Sequence, residues 1–208
     1  MATASQSLFN MTVASDNAGG NQGLLMPKLQ YRFRVNFLNF GVGSSLDLTK
    51  QVTDCSRPNL TFAEITLPVY NSTMYLAGKH TWAPMSVNIR DDAQGGVSKA
   101  VGAQLQKQLD FVEQASAATG QDYKFQTNIE ILDGGNGILV PTVLETWELY
   151  GCFLVSANYN TLNYATSDVV TIGLSIRFDN AIQAPLGGGV GTSVGRAFGG
   201  TSVTGIGS

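Results

Sequence analysis

The sequence predicts a mainly β domain: an antiparallel β-sandwich or half-barrel with one packed α-helix and a long extended arm. Three observations lead there. Leu29, Tyr31, Phe33, Val35 and Phe37 alternate with Gln30, Arg32, Arg34 and Asn36, the period of a strand with one buried face. Val170, Ile172, Leu174, Ile176 and Phe178 alternate in the same way with Thr171, Gly173, Ser175 and Arg177. Only one stretch, Val97-Val101-Leu105-Leu109-Val112, carries the three-to-four spacing of an amphipathic helix.

In chain order, residues 1–27 are rich in Ala, Ser, Asn and Gly, end at Pro27, and read as an N-terminal arm. The domain proper is expected over 28–184. After the first alternating strand, a glycine-containing turn at Gly41 to Ser45 leads to a second strand, Leu46 to Cys55. Pro58 interrupts, and Asn59 to Leu67 makes a third. From Ile65 to Asp92 an extended segment ends at Leu67-Pro68, a polar and aromatic arm broken by Gly78 follows, and Met85 to Arg90 is extended again. Gly95-Gly96 opens the helix, whose polar face carries Gln104, Lys107, Gln108 and Gln114, and Gly120 closes it. Strands follow at Tyr123 to Leu132, Val143 to Asn158 and Val169 to Asn180, with a turn at Asp133 to Gly137. Residues 185–208 form a Gly/Ser/Thr-rich tail that cannot bury enough apolar surface to fold alone.

The chain has 208 residues, 43% hydrophobic and only 13% charged, with a net charge of −3. Globular chains carry about 25% charged residues, so a surface this sparse in charge is expected to be covered by partners. No Lys/Arg block exists; the densest basic cluster is Lys28, Arg32 and Arg34. This excludes a tight phosphate-binding surface. A protein past which nucleic acid slides is still compatible with such a charge. There is no signal-peptide pattern at the N-terminus and no apolar run long enough to span a membrane. Cys55 and Cys152 make neither a disulfide framework nor a zinc spacing and read as small buried thiols, with a cross-link between them, within or between subunits, as the lesser alternative.

The chemistry-bearing candidates are few. Gly191-Thr192-Ser193-Val194-Gly195 matches the nucleophile-elbow pattern, but that chemistry needs a strand-to-helix turn and here the match sits in a glycine tail. The single histidine, His80, reads as a general base toward Cys55 or a serine, or as a polar contact on the arm; the second is the plainer reading. Asp91-Asp92 reads as part of a hard-cation site with Asp110 or Glu113, or as a solvated strand end. Two aromatic groups, Tyr70, Tyr75 and Trp82 on the arm and Trp147, Tyr150, Phe153 and Tyr159 further on, suit packing and interfaces better than base stacking, because few basic residues accompany them. No catalytic residue, metal site or cofactor is expected.

The order of LQYRFRVNF, a Leu-Pro strand, YNSTMYLAGKHTWAPMSVNIRDD, one helix, WELYGCFLVSANYN and TIGLSIRFD resembles the tail tube proteins of contractile-tailed bacteriophages, over roughly residues 28–183. Ala77-Gly78-Lys79-x-x-Trp82 followed by a strand and an acidic pair is its most specific part. The resemblance implies a structural, non-enzymatic virion protein, assembled in the host cytoplasm. Six subunits would form a ring whose sheets join into one continuous barrel, and stacked rings would form the conduit for DNA ejection. DNA would pass through the lumen without specific binding. It implies contacts with further copies and with sheath, tape measure, baseplate and tail terminator proteins. Tyr70, Asn71, Tyr75, Leu76, Lys79, His80 and Trp82 become the expected subunit-contact residues. The tube of a contractile secretion or injection apparatus is the alternative of the same architecture, and a ligand-binding β-sandwich the alternative of another class. The sequence does not say which way Arg32, Arg34 and Arg177 face.

Overall fold

The computed structural model describes residues 28–41, 46–133, 141–184, 189–191, 194–197 and 200–203. By contacts the chain divides between Arg32 and Phe33. Before the division, residues 28–32 hold a turn, in which the Arg32 amide donates to the Leu29 carbonyl at 3.2 Å and the Arg32 guanidinium lies 5.4 Å over the Tyr31 ring. The first strand therefore starts later than its alternation implied: Leu29 and Tyr31 precede it, and Tyr31 is exposed. The expected arm over 1–27 lies outside the described residues.

The elements in order are β1 (Phe33–Leu38), α1 (Leu46–Gln51), β2 (Val52–Cys55), β3 (Leu60–Val69), β4 (Ser72–Trp82), β5 (Met85–Arg90), α2 (Gly96–Gln108), β6 (Leu109–Asp110), β7 (Ala115–Ser116), α3 (Gly120–Tyr123), β8 (Phe125–Leu132), β9 (Val143–Asn158), β10 (Thr171–Arg177), β11 (Asn180–Ala184), β12 (Val194–Ala197) and β13 (Gly200–Val203). Seven of the strands make one antiparallel sheet in the order β1-β8-β9-β10-β5-β2, with β11 also on β9. It does not close into a barrel. β12 and β13 pair with each other within the expected tail.

The sheet turns at the middle of β9. The first part of this strand lies between β8 and β11, and its last part pairs with β10. At the junction the register with β8 slips between Phe125↔Cys152 and Thr127↔Leu149, so two residues of β9 stand opposite one of β8. One of the two is Gly151, at φ +66°, where a Cβ would collide with the Asp179 carboxylate. Only glycine tolerates both conditions, and a bulge of this kind bends the strand. Beyond the bend β8 no longer covers β9. There the Gln108 side chain takes its place, accepting from the Leu154 amide at 2.9 Å and donating to the Leu154 carbonyl at 3.0 Å.

One core fills the space behind the sheet. Val35 and Phe37 of β1, Met85, Val87 and Ile89 of β5, Leu149 and Leu154 of β9, and Ile172, Leu174 and Ile176 of β10 are buried in it, with Val97 and Val101 of α2. Phe37, Phe40 and Phe125 pack their rings at 4.9–6.4 Å. Each fully buried Leu, Ile or Val stabilises the fold by roughly 1.5–3 kcal/mol, and the alternation in β1, β5 and β10 supplies them in step.

Four expectations need correction. Leu46–Gln51 is helical, and only Val52–Cys55 is strand; two leucines at a spacing of two did not separate a short helix from a strand. The main helix ends at Gln108, not Gly120. Leu109 is extended and pairs with Ser116, and the Asp110 carboxylate accepts from the amides of Val112 and Glu113, which draws that backbone out of the helix. Gly120 opens α3 instead of ending α2. Gln104, read as part of the polar face, is fully buried: it accepts from the Gly41 amide at 2.9 Å and donates to the Tyr123 carbonyl at 2.6 Å.

Candidate functional site

Where an arm was expected, β3 and β4 form a long antiparallel ribbon that pairs with no other strand among the described residues. Its pairing runs from Leu60↔Trp82 at the base to Val69↔Ser72 at the tip. Nearly every residue of both strands is exposed. Val, Ile, Thr, Tyr and Phe favour this extended pairing, and Gly78 does not break it. The register instead slips by one between Phe62↔His80 and Glu64↔Ala77, and Gly78 sits in the slip, where a Cβ would stand 2.9 Å from the Ala63 carbonyl oxygen. At the tip Tyr70 is fully exposed and held at φ +47°, a region that a bulky residue seldom adopts.

Of the expected contact residues, Tyr70, Asn71, Tyr75, Leu76, Lys79 and His80 all lie on this ribbon and are exposed. Trp82 does not share that surface. It is 7% exposed and its ring packs 5.5 Å from Phe178, so it fastens the base of the ribbon to the core. His80 lies between the rings of Phe62 and Trp82, at 6.3 and 6.5 Å. The ribbon's apolar exposure is large: Phe62, Ile65, Leu67, Val69, Met74, Tyr75 and Leu76 are all more than 40% exposed. A soluble monomer rarely leaves so continuous an apolar surface uncovered.

The second surface is the face of the sheet turned away from the core. Arg34 and Asn36 of β1 stand there opposite Glu130 and Asn128 of β8, and Ser86, Asn88 and Arg90 of β5 opposite residues of β10. The Arg34 guanidinium donates to Glu130 from Nε at 2.7 Å and from Nη2 at 2.5 Å. Asn88 donates to both carboxylate oxygens of Asp54 at 3.0 Å. On the described strands this face carries Arg34, Arg90 and Arg177 against Asp54, Glu130 and Glu148, a balanced set. At its margins β1 and β2 each pair on one side only among the described residues.

The chemistry-bearing candidates are placed elsewhere. The Asp92 carboxylate accepts from the Val97 amide at 2.9 Å and so anchors the start of α2; that bond above all holds its carboxyl below the usual carboxylate range. Asp110 is held low in the same way, chiefly by the Val112 amide. Among the described residues no three His, Cys, Asp or Glu side chains gather as a metal site. Cys55 and Cys152 are both free thiols, pushed up to about 12 and about 11 mainly by burial, and stay protonated at neutral pH. Ser193 lies outside the described residues, and the residues after it, Val194–Ala197, are a strand where an elbow needs a helix. The later aromatic group does not converge: Trp147 donates to Glu145 at 2.7 Å, Tyr150 to Glu148, and Phe153 packs on Tyr123. An open cavity of about 370 Å³ lies within the loop from Asn160 to Thr171, lined by Leu162, Tyr164, Asp168 and Val169 among others. Sequence reading missed this loop, the ribbon's bulge and the edge role of Gln108; the last two depend on which backbone lies alongside.

No protein-family model matches the chain, and no curated protein matches it by sequence. Solved structures do match. A chain of an extracellular contractile injection system, in the PVC sheath–tube complex in the extended state, aligns with a TM-score of 0.55 at 12% identity, covering 88% of this chain and 98% of that one. The anti-feeding prophage tube-terminating cap aligns at 0.56 and 12% identity, over 77% and 93%. The sheath/tube terminator of the PVC system aligns at 0.56 and 13% identity, over 77% and 99%. The antiparallel half-barrel with its packed helix is thus the fold of the tube and tube-terminating proteins of contractile injection systems.

Proposed function

We propose that this chain is the structural subunit of a phage tail inner tube, assembling into rings of six that stack into a hollow conduit, and that it catalyses nothing. The observation that carries the reading is the pairing of two incomplete surfaces on one tube-type fold. An open half-barrel whose β1 and β2 each pair on one side only among the described residues is suited to continue into a neighbour, and an exposed ribbon is suited to reach another. A heterologous contact of this kind forms a ring when its rotation closes. The polar sheet face, with its arginines balanced by carboxylates, would then line the bore, presenting hydrogen-bonding groups but little net charge to hold DNA in passage. Tyr70, Asn71, Tyr75, Leu76, Lys79 and His80 are proposed contact residues. Sheath, tape measure, baseplate and terminator proteins are the proposed partners, with the virion tail, assembled in the host cytoplasm, as the location.

Likeness to a tube complex extends over more of this chain than likeness to the caps, 88% against 77%, which favours a tube subunit over a terminator. The neighbours come from injection systems, and this supports a second reading, the tube of an injection apparatus with a protein cargo. Electron microscopy of the concentrated protein tests the shared core of both: rings or hollow tubes are expected, and a monomer under all conditions overturns it. Particles isolated from the source separate the two, since a DNA-filled head on the tube is expected only of a phage.

A further inference from the structure

The slip at Gly78-Lys79 decides what the ribbon presents on each face. From the base, Leu60↔Trp82, Thr61↔Thr81 and Phe62↔His80 form a regular ladder. Continued without a slip, that ladder would set Leu76 opposite Thr66 and Met74 opposite Pro68. Directly opposed residues share a face, so the two β4 side chains would then point away from Ile65, Leu67 and Val69 of β3. With one extra residue on β4, the observed pairs are Ile65↔Leu76 and Leu67↔Met74. All five aliphatic side chains fall on one face, each between 41% and 53% exposed. The other face holds Glu64, Thr66, Pro68, Thr73, Tyr75 and Ala77, and toward the base Phe62 with His80 opposite it; its exposed rings, Phe62 and Tyr75, are separated by Glu64 and Thr66. A shift of one residue flips a strand's side chains, and here it collects them.

We propose that this aliphatic face carries most of the ribbon's docking, with Tyr75 and His80 on the opposite face adding lesser contacts, and that its occupant is a second copy of this chain in the assembled tube. The inference rests on the tube reading above and names the surface that reading uses. The size of the face argues for the occupant. Fully burying such a side chain removes roughly 60–120 Å² of apolar surface, so five half-exposed ones leave about 150–300 Å² to cover. A stable two-body interface takes about 800 Å² from each partner. The ribbon face is therefore too small to hold a lone soluble partner. It is sufficient in a polymer, where sheet edges already hold each subunit and one further contact per copy acts at high effective concentration. The chain's 13% charged residues fit a surface covered repeatedly by its own kind.

The test places one negative charge on each face at adjacent positions of equal pairing depth. Leu67→Glu and, as a second variant on the same face, Met74→Glu are expected to raise the concentration needed for polymerisation at least tenfold, read by sedimentation and electron microscopy. Thr66→Glu is expected to stay within twofold of the unaltered protein. Melting temperatures should be alike, because these side chains lie outside the core. A polymerising protein in which Thr66→Glu is as damaging as Leu67→Glu, or in which neither matters, overturns the face assignment alone. An unaltered protein that never polymerises overturns the tube reading and the occupant with it.

Discussion

Strands β4 and β5 are neighbours in sequence, separated by Ala83 and Pro84, and have opposite fates. β5 alternates buried and exposed residues and sits between β10 and β2. β4 is exposed along almost its whole length and, among the described residues, pairs only with β3. Apolar content does not separate them, since β4 carries Met74, Tyr75, Leu76 and Trp82. What separates them is a surface to lie on. Met85, Val87 and Ile89 have α2 and the rest of the sheet behind them, whereas among the described residues the ribbon away from Trp82 has only itself. A two-stranded ribbon alone is marginal in water, whereas the sheet is held by its own core.

Substitutions sharpen this contrast. The largest effect is expected from Leu174→Ala in the core, where Leu174 is 2% exposed; losing its methyl groups and leaving a cavity should cost about 2–5 kcal/mol, seen as a lowered midpoint in chemical denaturation. Gln104→Leu comes next. It would strand the Gly41 amide and the Tyr123 carbonyl, each at about 1–3 kcal/mol if left unsatisfied, and a melt should show a loss on that order. Gly151→Ala forces a side chain into a left-handed conformation and against Asp179; about 1–3 kcal/mol is expected from the backbone alone. The smallest effect belongs to the ribbon. Leu67→Ser should leave the subunit's stability within about 0.5 kcal/mol, and a large drop in its melting temperature would mean that the ribbon supports the core after all.

The alternation in β1 and β10 was legible because each strand has one buried face, and β9 was found over its full length. The ribbon's residues were legible as an extended arm but not as a paired ribbon. Nothing local in STMYLAGKHTW names LTFAEITLPV as its partner, and Gly78 looks like a breaker until the Ala63 carbonyl is seen beside it. Trp82 looked like one more aromatic of the arm, and only Phe178, nearly a hundred positions away, makes it an anchor.

By itself the sequence determined the β class, the one substantial helix and the shortage of charge, because these follow from local periodicity and composition. The tertiary structure decided the bend at Gly151, the burial of Gln104, the edge cover by Gln108 and the sidedness of the ribbon. Each of these turns on which distant backbone lies alongside, and a shift of one residue in that pairing exchanges the buried face for the exposed one.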